Sequence, residues 1–294
     1  MTAAIPLLLA VAALAGCARI EPERPALGAG DMVAALCALG PRDSGSIGAA
    51  EAATWIAEQL DAAGLTPVTD AFSEETPRGQ VVFRNVMASL PGTTRKHVLL
   101  LTHYDTKAGI ADDFIGANDG GSSTGLLLAL ARWFKENPAD GPGPTISFAF
   151  LDGEECAEEY GPHDGLHGSR RLAAQMKAAR TRIDAVILLD MVGDADLSLT
   201  IPSNVDGRLM ATLNQSASRL GLRDRVKRHY ADMLDDHQPF LDLGYPAIDI
   251  IDFEYGSAPG ENDYWHTPED TVEKISDATL DAVGAIVIDM VRNL

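Results

Sequence analysis

Residues 97–105 read HVLLLTHYD, an apolar run that ends in a histidine and an aspartate two positions apart. A short, continuous apolar run of this kind is typical of a strand that is buried on both faces of a sheet. Residues 146–155 (ISFAFLDGEE) and 185–190 (AVILLD) repeat the pattern, since each apolar run again ends in acids. The three segments therefore favour an α/β fold, in which ligands bind beyond the carboxyl ends of the strands.

Segments with helical periodicity separate these strands. Residues 46–64 have the pattern of an amphipathic helix, with Ser46 as its cap and Gly64 at its end. The alternation predicts a single-domain α/β fold, a three-layer sandwich with a central mixed, mostly parallel sheet. Further helices are predicted over residues 123–138, 169–180 and 276–294, and further strands over residues 81–92 and 245–253.

The N-terminus has the pattern of an export signal. Its apolar stretch is too short to span a bilayer and ends in LAGC at residues 14–17. LAGC resembles a bacterial lipobox, which implies a signal peptide over residues 1–17, lipid attachment to Cys17 and a location in the cell envelope, in the periplasm or at the outer surface. A cleaved soluble export signal and a buried helix are the alternatives. Residues 18–29 are interpreted as a tether, and residues 30–294 as the folded domain.

The charge balance excludes one class of partner. The chain has 43 acids against 23 lysines and arginines, which gives a formal net charge of −20. No basic surface is left to meet phosphates, so we expect no nucleic-acid partner. We expect contact with a membrane only through the lipid anchor, and we expect a monomer.

Two cysteines remain in the folded domain, Cys37 and Cys156. Their spacing alone leaves a disulfide between them open. Two separate buried thiols are the favoured interpretation, because a free cysteine behaves as a small apolar residue.

Acids and histidines cluster where the predicted strands end. If the strands are parallel, these side chains meet at one edge of the sheet, where their convergence is costly unless a cation compensates it. Nitrogen and carboxylate ligands without thiolates suit zinc, and a catalytic zinc site keeps one position open. The candidates are His103, Asp105, Asp119, Asp152, Glu154, Glu155, Asp190 and His266.

Six motifs in a fixed order resemble zinc metallopeptidase family 28, which contains bacterial aminopeptidases and glutaminyl cyclases. The motifs are HYD, NDGG, DGEE, LLDM, DDHQPFL and WHTPEDT. The resemblance covers residues 30–294 and identifies them as a catalytic domain with a zinc aminopeptidase-like fold. It also implies that the substrates are the N-termini of peptides or proteins.

The resemblance assigns roles at the site. Glu154 is implied to be the general acid/base. In the aminopeptidase branch, His103 and Asp190 hold a second zinc, and Asp119 bridges the two ions. The implied ligands of the catalytic zinc are Asp119, Glu155 and His266.

Local sequence around the motifs is more similar to the cyclase branch, above all HYDTK, DGLHGSRRLAAQM and WHT. A cyclase of this family uses one zinc to convert an N-terminal glutamine to pyroglutamate, with release of ammonia. Asp190 and Asp236 are assigned to catalysis and Asp235 to the substrate amine, although the resemblance leaves these two adjacent aspartates interchangeable. Trp265 and Tyr160 are assigned as aromatic walls of the substrate pocket, and animal cyclases carry a tryptophan at the position of Tyr160.

Two alternatives remain open. An aminopeptidase with two zinc ions would use the same residues to hydrolyse the first peptide bond. The ligand inventory does not exclude it, because His103 and Asp190 are both present. A non-catalytic binding lipoprotein is disfavoured, since binding alone does not require Glu154 beside the ligands.

Overall fold

The computed structural model describes residues 24–138 and 143–294, together with Met1. Apart from Met1, the predicted signal peptide over residues 1–17 lies outside the described residues, as do residues 18–23 of the predicted tether. Within the described part of the chain, no helix is both long and apolar enough to cross a bilayer.

In the part of the chain that the structure describes, eight strands form two sheets. In chain order they are β1 (Val68–Thr76), β2 (Gly79–Leu90), β3 (His97–His103), β4 (Thr145–Leu151), β5 (Ala185–Asp190), β6 (Leu199–Ile201), β7 (Val226–Arg228) and β8 (Ala247–Ile251). The central sheet has the order β1-β2-β4-β3-β5-β8, and β6 pairs with β7 in a small parallel sheet. In the central sheet β4, β3, β5 and β8 are parallel, whereas β1 and β2 add two antiparallel pairs. The predicted mixed, mostly parallel sheet is confirmed.

Seven α-helices pack on this sheet in the described residues. They are α1 (Ala29–Cys37), α2 (Ile47–Ala62), α3 (Gly121–Glu136), α4 (His167–Ala178), α5 (Gly207–Arg219), α6 (Gln238–Asp242) and α7 (Asp277–Asn293). The predicted cap of α2 is confirmed, because the side chain of Ser46 accepts a hydrogen bond from the N–H of Ala49 at 3.0 Å. Helices α1, α5 and α6 were not predicted.

The two faces of the sheet bury separate cores. Leu100 of β3 packs in the core that contains residues of α1, α2, α3, α5 and α7. Its neighbours Leu99 and Leu101 pack in the second core, together with residues of α4 and α6. This division follows from the strand itself, since successive side chains point to opposite faces. The three-layer prediction is therefore confirmed.

The antiparallel hairpin of β1 and β2 forms one edge of the sheet. The sequence does not predict β1, because in its nine residues only Phe72 is buried. An edge strand covered on one side carries no continuous apolar run.

The cysteines are separate. Cys37 and Cys156 are both free and buried, which confirms the prediction of two independent thiols. Burial raises the pKa of the Cys37 thiol to about 11.

Candidate active site

The carboxyl ends of the parallel strands bring the predicted site residues together. His103 is the last residue of β3 and Asp190 the last residue of β5. Their side chains meet, with 3.2 Å between Nε2 of His103 and Oδ1 of Asp190. This contact confirms the expectation that the carboxylate of Asp190, which follows an apolar run, is paired.

A first group of ligand atoms comes from three loops. Asp119 lies before α3, Glu155 follows β4, and His266 lies between β8 and α7. Nε2 of His266 is 3.0 Å from Oε1 of Glu155 and 3.1 Å from Oδ2 of Asp119. One ligand atom from each residue lies within 4.8 Å of the others, as in a metal site.

A second group shares Asp119 with the first. Nε2 of His103 is 3.2 Å from Oδ1 of Asp119, while Oδ2 of Asp119 faces His266. His103, Asp119 and Asp190 again place one ligand atom each within 4.8 Å of the others. On its other ring nitrogen, Nδ1, His103 faces Oδ1 of Asp105 at 3.5 Å. Asp119 therefore directs one carboxylate oxygen toward each group.

The chemistry of these groups fits a divalent cation. A ring nitrogen carries at most one hydrogen, yet Nε2 of His266 faces two carboxylate oxygens, and so does Nε2 of His103. One oxygen in each group is thus left without a proton, and a cation between the atoms satisfies all three. Burial also raises the pKa of Glu155 to about 7, against the opposing effect of His266. The donor set of imidazole nitrogen and carboxylate oxygen suits zinc.

Glu154 lies beside the first group and is 7% exposed. Its Oε1 accepts a hydrogen bond from the hydroxyl of Tyr160 at 2.9 Å. Burial, followed by the negative charge of Glu155, raises the pKa of Glu154 well above its usual value. A buried carboxyl group with a raised pKa binds a proton more readily than an ordinary carboxylate does, which suits a general acid/base.

Asp105 holds the two adjacent glutamates in place. Its Oδ1 accepts the N–H of Glu154 at 3.2 Å, and its Oδ2 accepts the N–H of Glu155 at 3.1 Å. Ser44 links Asp105 to Asp152, which directly follows β4. Its hydroxyl lies 3.2 Å from Oδ2 of Asp105 and 2.8 Å from Oδ1 of Asp152. Asp105 and Asp152, both predicted as candidates, are thus placed behind the ligands.

Two further residues support the loop of Asp119. Asp270 accepts the N–H of Asn118 at 2.7 Å and the N–H of Asp119 at 3.1 Å. Arg42 is fully buried and donates to the carbonyls of Tyr104, directly after β3, and of Ile115, four positions before Asp119. Asp270 lies inside the motif WHTPEDT, which was the available signal for it. Arg42 has no such signal, because its partners are distant in sequence.

Two residues at the site have backbone strain. Met191, directly after Asp190, has φ 48°, and His266 has φ 54°. The left-handed region costs about 1–2 kcal/mol for a residue with a side chain, and such strain persists only where the surrounding structure imposes it. The strain therefore indicates that the positions of Asp190 and His266 are imposed by tertiary contacts.

The remaining predicted residues lie around this centre. Asp235 is 5% exposed, whereas Asp236 is fully buried. Burial, and next the charge of Asp190, raises the pKa of Asp235. The ring of Trp265 stacks on the ring of His266, with 4.0 Å between centroids. The hydroxyl of Tyr160 contacts Glu154, which adds a polar contact to the wall that was predicted for its ring.

Comparisons with known proteins agree with this geometry. The model of Peptidase family M28 matches residues 85–291. The chain is 28% identical to the glutaminyl-peptide cyclotransferase of Drosophila melanogaster, over 74% of this chain and 67% of that protein. The crystal structure of a glutaminyl cyclase from an Acidobacteriales bacterium superposes with a TM-score of 0.86 at 35% identity, over 94% of this chain and 97% of the other. A Zn-dependent exopeptidase from Parabacteroides distasonis superposes with a TM-score of 0.81 at 26% identity, over 93% and 100% of the two chains.

Proposed function

We propose that this chain, which belongs to peptidase family M28, is a zinc-dependent glutaminyl cyclase. Its substrates are peptides or proteins with an N-terminal glutamine, which it converts to pyroglutamate with release of ammonia. The observation that carries the choice is the likeness to the bacterial glutaminyl cyclase, which extends over 94% of this chain. The buried Glu154 beside a metal-ligand group supports a catalytic role, although it does not separate a cyclase from an aminopeptidase.

We assign the zinc to Asp119, Glu155 and His266, whose ligand atoms lie together in the structure. When bound there, zinc acts as a Lewis acid toward the γ-carbonyl oxygen of the substrate glutamine. The ring of Trp265, stacked on His266, offers an apolar surface to the glutamine side chain.

Glu154 transfers the proton in this proposal. The α-amine of the substrate attacks the γ-carbonyl carbon and gives one proton to the Glu154 carboxylate. This attack closes the ring, and Glu154 then returns the proton to the amide nitrogen, which leaves as ammonia while the ring carbonyl re-forms. Asp190, with Asp235 or Asp236, accepts hydrogen bonds from the amine and orients it for attack. We favour Asp235 over Asp236 for this contact, because Asp236 is fully buried.

An aminopeptidase is the second candidate, and one observation favours it. Asp119 faces His103 with one oxygen and His266 with the other, which is the arrangement that a bridging ligand of two metal ions requires. A structural relative is also a Zn-dependent exopeptidase. In this alternative, Glu154 takes a proton from the attacking water, and two zinc ions are bound.

The two candidates differ in their products. We expect peptides that begin with glutamine to yield a pyroglutamyl peptide and equimolar ammonia, measured by mass spectrometry and a coupled ammonia assay. Peptides that begin with leucine should remain intact. Release of free leucine, with glutamine peptides left uncyclised, would contradict the cyclase and support the aminopeptidase.

Zinc stoichiometry gives an independent test. For a cyclase with one zinc, His103→Ala should leave about one zinc per chain, because His103 is outside the first group. For an aminopeptidase, the same change should lower the zinc content from two to one. His229→Ala is the matched control, since His229 belongs to none of the ligand groups that the described residues form. Glu154→Gln should reduce turnover to a small residual rate while zinc stays bound, and turnover at the wild-type rate would remove Glu154 from its role.

We also propose that the protein is anchored in the cell envelope by a lipid on Cys17. The support is the sequence LAGC at residues 14–17. Cys17→Ala should move the protein from the membrane fraction to the soluble fraction of the cell envelope. A wild-type protein that is already in the soluble fraction would contradict the anchor.

A further inference from the structure

The hydroxyl of Tyr160 makes a direct contact with the residue that transfers the proton. It donates a hydrogen bond to Oε1 of Glu154 at 2.9 Å. Glu154 is buried, and Tyr160 is partly buried at the wall of the same site. An aromatic wall requires only the ring, so the hydroxyl contact is a separate feature of this side chain.

A short loop holds Tyr160 in this position. The carboxylate of Asp164 accepts backbone N–H groups from three successive residues that precede Tyr160, including Glu158 at 2.8 Å and Glu159 at 3.0 Å. Because the Asp164 carboxylate binds three consecutive backbone N–H groups, these three residues are held together as one unit. The folded loop therefore fixes the backbone that leads to the Tyr160 ring.

The other side of the ring is also fixed. Gly165 has φ 73°, and a Cβ atom at this position would lie only 2.4 Å from Cδ1 of Tyr160. The ring thus packs directly on the backbone of Gly165, where only glycine leaves room. The next residue, Leu166, donates its N–H to the carbonyl of Glu154 at 2.9 Å, so the loop returns to the backbone of Glu154 itself.

We propose that Tyr160 is a positioning residue that holds Glu154 through Oε1 and leaves Oε2 to exchange the proton with the substrate. This inference rests on the proposed function, in which Glu154 takes one proton from the α-amine and returns it to the leaving nitrogen. The phenolic proton stays on Tyr160 throughout, so no further proton donor is needed. With Oε1 held, the carboxylate cannot rotate away from the substrate between the two transfers. A hydrogen bond to a charged acceptor is among the stronger ones, and general acid/base catalysis depends on such geometry.

The test is Tyr160→Phe, which keeps the ring and removes only the hydroxyl. We expect kcat for a glutamine peptide to fall about 10- to 100-fold, the effect of losing one charge-assisted hydrogen bond. KM, zinc content and melting temperature should stay close to the wild-type values, because the ring still packs on Gly165. Tyr160→Trp should lose a similar factor in kcat, since it keeps an aromatic wall without this hydroxyl. Tyr230→Phe is the matched control, because Tyr230 is 91% exposed.

A double mutant separates positioning from general structure. If Tyr160 acts through Glu154, Tyr160→Phe should have almost no further effect on the residual rate in a Glu154→Gln background. An equal loss in both backgrounds would overturn the proposal, as would a wild-type kcat for Tyr160→Phe or a raised KM with kcat unchanged. The wild-type products report on the proposed function separately. If the wild type releases leucine, the cyclase assignment fails, and the same variants test Tyr160 on the leucine peptide, since Glu154 transfers the proton there too.

Discussion

Arg42 offers a test of how the fold positions the site. Its guanidinium group is fully buried and donates to the carbonyls of Tyr104 at 2.8 Å, Ile115 at 2.7 Å and Gly116 at 3.2 Å. Tyr104 follows β3 directly, and the other two residues precede Asp119 by a few positions. Arg42 thus links the end of a central strand to the loop that carries the shared ligand.

Replacing Arg42 by alanine removes these three hydrogen bonds, and of the two carbonyls before Asp119 that of Gly116 still accepts the N–H of Gly121 at 3.1 Å. Each lost bond costs about 1 kcal/mol net, so the expected decrease in the free energy of unfolding is about 3 kcal/mol. Unfolding entropy of about 2.1 cal/mol/K per residue gives roughly 0.6 kcal/mol/K for a chain of this length, so Tm should fall by about 5 °C. We also expect faster loss of zinc during dialysis, because the loop of Asp119 is no longer held.

The assay is differential scanning calorimetry, with zinc measured by atomic absorption after dialysis. Arg42→Lys should recover part of the loss, since an ammonium group cannot reach all three carbonyls with the geometry of the guanidinium fork. Arg228→Ala, at an exposed position, is the matched control. If Arg42→Ala melts within about 1 °C of the wild type and retains its zinc, the three hydrogen bonds do not hold the loop, and the reasoning is refuted.

Three further predictions concern the supports of the site and the stability of the fold. Asp270→Ala should weaken zinc binding about 10- to 100-fold in a chelator competition, because Asp119 loses its backbone support. Asp270→Asn should weaken zinc binding less. Zinc affinities equal to that of the wild type would contradict this. Gly120→Ala should lower the free energy of unfolding by at least about 1 kcal/mol and displace His103, since Gly120 has φ 71° and an added Cβ would lie 2.9 Å from Cε1 of His103; an unchanged Tm would contradict it. Burial raises the pKa of Asp252 to about 7, so the folded state keeps a proton that the unfolded state has lost above its usual pKa of 3.8. The wild type therefore loses stability as the pH rises toward 7. Relative to the wild type, the free energy of unfolding of Asp252→Asn should rise by about 3 kcal/mol between pH 5 and pH 8, as measured by urea denaturation. A difference that stays constant with pH would argue against the raised pKa.

The chain itself determined the central strands and the polar groups that follow them. HVLLLTHYD and AVILLD are apolar runs whose burial needs no knowledge of distant contacts, so β3 and β5 and the positions of His103 and Asp190 at their ends were predicted correctly. The cap of α2 at Ser46 was equally local, because a cap is decided within one helical turn.

Tertiary structure alone decided how these groups meet. Asp119 and Asp270 are 151 positions apart, and Arg42 and Ile115 are 73 apart, so no local pattern announces either contact. The orientation of the Tyr160 hydroxyl toward Glu154 likewise depends on how a loop closes on itself. Periodicity and capping act over a few residues and can be read along the chain, whereas a site is assembled by contacts between segments that only the packed sheet brings together.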